Sequence, residues 1–94
     1  MATYILLGTL TDEGAAKLRA HPEWVDEVRH DLEAMGVKII AQYAVLGPYD
    51  LVNIVEAPDN RTVVAVSTQL TLRGSVKITT LPALPIEDFL AVLK

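Results

Sequence analysis

The sequence predicts a single α+β domain, residues 1–94, in which the two main helical segments lie on one face of a four-stranded antiparallel sheet. Three observations carry that prediction. Apolar runs of strand length alternate with stretches of helical periodicity in the order β-α-β-β-α-β, followed by one more short helix. The two middle strands are joined by Gly47-Pro48-Tyr49-Asp50, too short for anything but an antiparallel hairpin. The chain has 94 residues, 51% of them hydrophobic, and at that length roughly two-thirds of the unfolded surface can be buried in one core.

Thr3 to Leu10 is an apolar run rich in strand formers, ended by Thr11-Asp12-Glu13-Gly14. Either Thr11 or Asp12 suits the cap of a helix, and the acidic residues suit the positive end of its dipole. That helix runs to about Ala20, where His21-Pro22 interrupts it. Pro22 disfavours helical geometry at His21 but fits the first position of a new helix. Val25, Val28, Leu32 and Met35 then recur at helical spacing with Trp24 beside them, and Gly36 stands where a C-terminal cap belongs.

Val37 to Leu46 and Leu51 to Glu56 are the second and third strands. Pro48 fits the second position of a four-residue turn between them. A helix follows from Pro58-Asp59, with Asp59 as its cap, to Arg73-Gly74. Its interior is β-branched and would suit a strand, but the caps and the Val63, Val66, Leu70 spacing favour helix. Ser75 to Leu81 is the fourth strand, and Ile86 to Leu93 a short amphipathic helix. Two right-handed β-α-β crossovers around a central hairpin give the ferredoxin-like sheet.

A sheet covered by helices on one face should alternate apolar with polar residues. These strands do not. Val37, Ile39, Ala41, Tyr43 and Val45 are expected on one face of the second strand, yet Ile40 and Leu46 lie opposite them. Tyr4 and Leu6 oppose Ile5 and Leu7, and Val52 and Ile54 oppose Leu51 and Val55. Soluble monomers rarely leave so large an apolar face bare. A second copy laid sheet to sheet covers it, so a homodimer or higher homo-oligomer is expected. The alternative is that residues 85–93 fold back over the face, but so short a helix is too small to cover four strands.

Composition excludes several function classes. With no cysteine there is no disulfide, thiolate chemistry or cysteine-held metal. A net charge of −4 with scattered Lys and Arg offers nothing to nucleic acid or an anionic membrane. The first residues have no basic flank before their short apolar run, and no stretch approaches a membrane span. A cytoplasmic protein without cofactor or metal is the expectation. Phosphate-binding glycine loops and nucleophile elbows are absent.

Four segments resemble those of one family. Thr11-Asp12-Glu13-Gly14, Gly47-Pro48-Tyr49-Asp50, Glu56-Ala57-Pro58-Asp59 and Gly74-Ser75-Val76 are similar, in sequence and spacing, to the motifs of the GYD-domain family, named for its Gly-x-Tyr-Asp turn. The resemblance spans nearly the whole chain. It implies a ferredoxin-like fold of the dimeric α/β-barrel type and carries over no catalytic set. Where family members often have Ser-Pro-x-Arg, this chain has His21-Pro22-Glu23-Trp24, and a paired glycine of the family appears as Met35-Gly36.

Few residues are candidates for chemistry. For Tyr49 and Asp50 two readings are open. They sit at a cavity mouth, as donor and as base or ligand anchor. Otherwise Gly47 and Pro48 shape the turn, Asp50 bonds nearby backbone amides and Tyr49 packs. His21 caps a helix, faces solvent or serves as a base. Glu27-x-x-His30 is half of a carboxylate metal site, but with Glu23 it reads better as a solvated ion-pair face. Tyr4, Tyr43 and Trp24 either line a pocket between helix and sheet or belong to the core. Asn53, on a central strand, must find partners or water, which marks a polar dimer contact or a ligand. Glu56 to Asp59 reads as strand exit and cap.

The leading functional reading is a homo-oligomer, regulatory or otherwise non-enzymatic, that binds a small organic ligand between helices and sheet or at the dimer seam. A cofactor-free isomerase, dehydratase or oxygenase competes with it. There Asp50 or His21 would be the base and Tyr43 or Tyr49 the donor, a reading that rests on fold analogy. A purely structural assembly unit is the third.

Overall fold

A computed structural model describes residues 1–94. The elements are β1 (Ala2–Leu10), α1 (Asp12–Ala20), α2 (Trp24–Ala34), β2 (Lys38–Ala44), β3 (Leu51–Ala57), α3 (Asn60–Leu72), β4 (Val76–Ala83) and α4 (Ile86–Val92). The strands form one antiparallel sheet in the order β2-β3-β1-β4. This is the ferredoxin-like arrangement, with the longer helices on one face.

Local chemistry sets the boundaries. Thr11, not Asp12, caps α1: its Oγ1 accepts from the Gly14 amide at 3.1 Å and donates to the Gly74 carbonyl at 2.7 Å. The Thr11 amide donates to the Ser75 carbonyl at 3.1 Å. The start of α1 is therefore latched to the start of β4. Gly14 permits this, because a Cβ there would run into the Ser75 carbonyl oxygen. Pro22 and Glu23 form a turn, so α2 begins at Trp24 rather than at the proline. Gly36 ends the helical stretch with φ +87°, a conformation only glycine adopts without strain. Asp59 caps α3 through the Thr62 amide, and α3 is helical despite its β-branched interior.

One core lies between the helices and the sheet. Tyr4 and Leu6 of β1, Val55 and Ala57 of β3 and Val76 of β4 pack against Leu32, Val63, Val66 and Leu70. Arg73 at the end of α3 reaches Asp31 of α2 at 2.8 Å across the outside of this layer. That pair is half exposed and adds little.

Two expectations are corrected. First, the register of β2 against β3 shifts between Ile39 and Ala41. The extra residue of this bulge reverses the alternation. Ile39 pairs with buried Val55, but Gln42 and Ala44 now pair with Asn53 and Leu51 on the helix side. Ala41 and Tyr43 pair with Ile54 and Val52 on the other face, not with the inward set of Val37 and Ile39. Second, the β2–β3 connection is wider than a four-residue turn: the Val45 amide closes it on the Asp50 carbonyl at 2.9 Å.

The terminal helix does not fold back over the sheet. No residue of α4 is buried, and Ile86, Phe89 and Leu90 are exposed, as is Leu93 just beyond its end. The radius of gyration is 14.1 Å with a longest extent of 51 Å, against about 12 Å for a compact chain of this length.

The second sheet face is left open. Its central rows are Thr79-Leu7-Val52-Tyr43 and Leu81-Ile5-Ile54-Ala41, read off the strand register. Lys38, Glu56 and Thr3 lie at one end, Thr9 and Lys77 at the other. An apolar centre between polar ends therefore has no cover from its own chain, as the non-alternating strands required. No helix is long and apolar enough to cross a membrane.

The α1–β4 latch has a direct test. Gly14→Ala must push α1 away from Ser75, an overpacking cost of about 1–3 kcal/mol. For a domain of this size that corresponds to a fall in Tm of roughly 5–20 °C in a thermal unfolding scan.

Candidate functional site

The helices do not close fully on the sheet. Between them lies a cavity of about 350 Å³, in the size range of small-molecule sites. Its floor is Gly8 of β1, Leu51 and Asn53 of β3, and Val76 and Ile78 of β4. Its roof is Leu18 of α1, Trp24, Val25 and Val28 of α2, and Leu70 of α3. Gly8 lets its neighbours close over the β1 backbone at the floor, since a Cβ there would meet Val76 at 3.2 Å and Leu51 at 3.6 Å.

Ten of the 13 lining residues are hydrophobic; the others are Gly8, Gln42 and Asn53. Gln42 and Asn53 are register partners on adjacent strands and reach the cavity together because of the β2 bulge. No hydrogen bond within the chain engages either side-chain amide. Tyr43 bounds the cavity at its edge strand, but its register partner Val52 belongs to the open face, and Tyr43 is 58% exposed.

Of the candidates read from sequence, the structure brings Trp24, Asn53 and Tyr43 to this cavity and places Tyr4, His21, Tyr49 and Asp50 outside its lining. Tyr4 is buried in the core, its phenol donating to the Asn60 side chain. The Asp50 carboxylate accepts from the Leu10 amide at 2.9 Å, while its own amide donates to the Gly8 carbonyl. Asp50 thus ties the loop before β3 to the end of β1. Tyr49, beside it in this loop, is half-buried.

His21 lies between two carboxylates at the start of α2. Its Nδ1 is 3.1 Å from Glu23 and its Nε2 is 2.9 Å from Glu27. The hydrogen bond to Glu27 raises its pKa above the ordinary 6.5, aided by the charges of Glu27 and Glu23 against the opposing effects of desolvation and Lys17. Glu27 therefore pairs with His21, not with His30. No group of three or more His, Asp or Glu side chains is arranged to hold a metal ion. Lys17 stacks over the Trp24 ring at 5.3 Å, a cation–π contact at the α1–α2 junction.

Sequence reasoning missed Gln42, whose side was assigned by strict alternation. It also missed Gly8 as part of the floor, although a glycine inside a strand signals close approach or missing bulk.

Two measurements follow from these contacts. Asp50→Ala leaves the Leu10 amide without its acceptor and should lower stability in urea unfolding by about 1–2 kcal/mol; Asp50→Asn keeps an acceptor and should cost much less. For His21 the folded pKa is raised, so its stabilising contribution is full below pH 6.5 and lost as pH climbs through the raised value. An NMR titration should place the His21 midpoint above 6.5, and Glu27→Gln should return it towards 6.5.

Comparison with known proteins adds the family. The "GYD domain" model matches residues 4–93. Over 95 aligned residues the chain is 54% identical to a Thermus thermophilus protein named "Glutamine synthetase and cystathionine beta-lyase binding protein", covering 100% of both chains. Two solved structures share the fold. The crystal structure of FFRP-DM1 matches with a TM-score of 0.60 and 26% identity over 89% of this chain and 100% of that one. TTHA0845 from Thermus thermophilus matches with a TM-score of 0.60 and 25% identity over 90% and 95%. With the family model matched from β1 to the end of α4, this chain belongs to the GYD domain family.

Proposed function

We propose that this protein is a homodimeric binding protein that takes a small organic ligand into the helix–sheet cavity and engages metabolic enzymes as its protein partners. The observation that carries the assembly is the open sheet face. Leu7, Val52, Ile5 and Ile54 form its centre, and Lys38, Glu56 and Lys77 lie near its ends. An apolar core inside a polar rim is the anatomy of a protein interface. The occupant is a second copy, because a two-fold pair buries this face on both chains at once and closes the assembly. The Ile86, Phe89, Leu90 and Leu93 stripe at α4 follows the end of β4 and extends that contact onto the partner.

The enzyme partners are supported by the 54% identical relative over its full length, named for binding glutamine synthetase and cystathionine beta-lyase. Catalysis has less support. Asp50 and His21, the bases considered, lie outside the cavity lining and are engaged by the Leu10 amide and by Glu27.

Native mass spectrometry should give twice the 10.2 kDa chain mass, and Ile54→Lys should shift it to the monomer. A wild-type monomer would overturn the dimer. In calorimetric titrations the protein should bind glutamine synthetase or cystathionine beta-lyase from its own organism. Silence with both would remove the enzyme partners and leave the assembly standing.

A further inference from the structure

We propose that the helix–sheet cavity selects uncharged ligands: a mainly apolar molecule whose single polar head group is read by the carboxamides of Asn53 and Gln42. The inference rests on the cavity being a ligand site, as proposed above, and adds the chemical class. The walls are apolar, so a fitting ligand gains by removing hydrocarbon from water. The head group is decided by Asn53 and Gln42, the side-chain amides that reach this space.

These amides face each other across adjacent strands, where directly opposed Cβ atoms lie about 4.5–5.5 Å apart. Each offers NH₂ donors and a carbonyl acceptor, and neither carries charge. With no partner inside the chain, both are free to pair with one incoming group. Asn53 is half-buried and Gln42 exposed, so the head group lies on the sheet side, towards the β2 edge. A group that both donates and accepts, such as a carboxamide, matches the pair. A carboxylate leaves the donors satisfied and the carbonyls facing its charge. An ammonium does the reverse. Either ion also gives up part of its hydration to an apolar cleft with no counter-charge in its lining, a desolvation cost that is smaller for a neutral group. Lys17 is held over the Trp24 ring and is not part of the lining.

The chain supplies its own reporter. Trp24 is the sole tryptophan and forms part of the cavity roof, so its emission reads occupancy. Three probes with the same chain and different heads separate the possibilities: octanamide, octanoate and octylammonium, titrated at pH 7 below their aggregation limits. Octanamide should bind more tightly than either ion, by at least about tenfold, the ratio that a 1.4 kcal/mol difference gives. Gln42→Leu, at an exposed position on the edge strand, should cut that preference severalfold. Asn53→Leu should abolish it, with circular dichroism checking that the variant is folded. Equal binding of all three probes, or tighter binding of octanoate drawn by Lys17, would overturn the selectivity while leaving the cavity as a site. A preference that survives in both folded variants would overturn the role of the amides. No emission change with any probe would overturn the cavity reading itself.

Discussion

The constraint on which this structure depends is a sheet that is apolar on both faces in a chain with helices enough for one. Hydrophobic burial is proportional to area and indifferent to direction, so nothing in the strands themselves says which face the helices take. The right-handed sense of the two β-α-β crossovers decides it, and the α1–β4 latch through Thr11, Gly14 and Ser75 fastens α1 on that side. The core of Tyr4, Leu6, Val55 and Val66 lies between those helices and the sheet. The same decision leaves Ile5, Leu7, Val52 and Ile54 on the uncovered side. Core and open face are thus two consequences of one choice, and they use alternate residues of the same strands.

The cavity arises from the same geometry. Helices that span a sheet touch it unevenly, and here the short side chain of Ala44 in β2 lines the unfilled space beneath α2. Protein interiors otherwise pack close to the density of organic crystals, so a volume of about 350 Å³ requires some cause. The β2 bulge is part of that cause. By reversing the alternation it moves Tyr43 to the outer face and brings Gln42 and Ala44 to the inner one, exchanging a large aromatic for a methyl and an amide. Asp50 holds the neighbouring loop against β1. In the Gly-x-Tyr-Asp segment of this chain, Asp50 accepts from the Leu10 amide and Tyr49 lies outside the cavity lining.

The proposed binding role draws on shape and hydrogen bonding, where catalysis would draw on reactive groups. Catalysis needs groups whose proton affinities are tuned and aimed at a reacting atom. His21 and Asp59, whose proton affinities are displaced, are a helix-junction contact and a helix cap. Both are explained by the hydrogen bonds that hold the fold, and neither lines the cavity. The cavity itself offers shape, apolar walls and two amides, the features on which the proposed ligand recognition rests.

How much of this was legible in the sequence follows from the range of the forces involved. Element order, the Asp59 and Gly36 caps, the helical nature of 60–72 and the two-sided apolar strands depend on neighbours a few residues away, and the sequence by itself determined them. The dimer expectation followed from the same strands, because a face too apolar for water is written in their composition. Only the tertiary structure decided which nonlocal partners meet. The bulge after Ile39 depends on how β2 pairs with β3, so strict alternation misplaced Gln42, Ala41 and Tyr43. Asp50 meets Leu10 across 40 positions of chain, and the cavity gathers residues from every element except α4. Periodicity records which way a residue points relative to its neighbours. It does not record what waits on that side, because that is set when distant segments compete for the same buried surface.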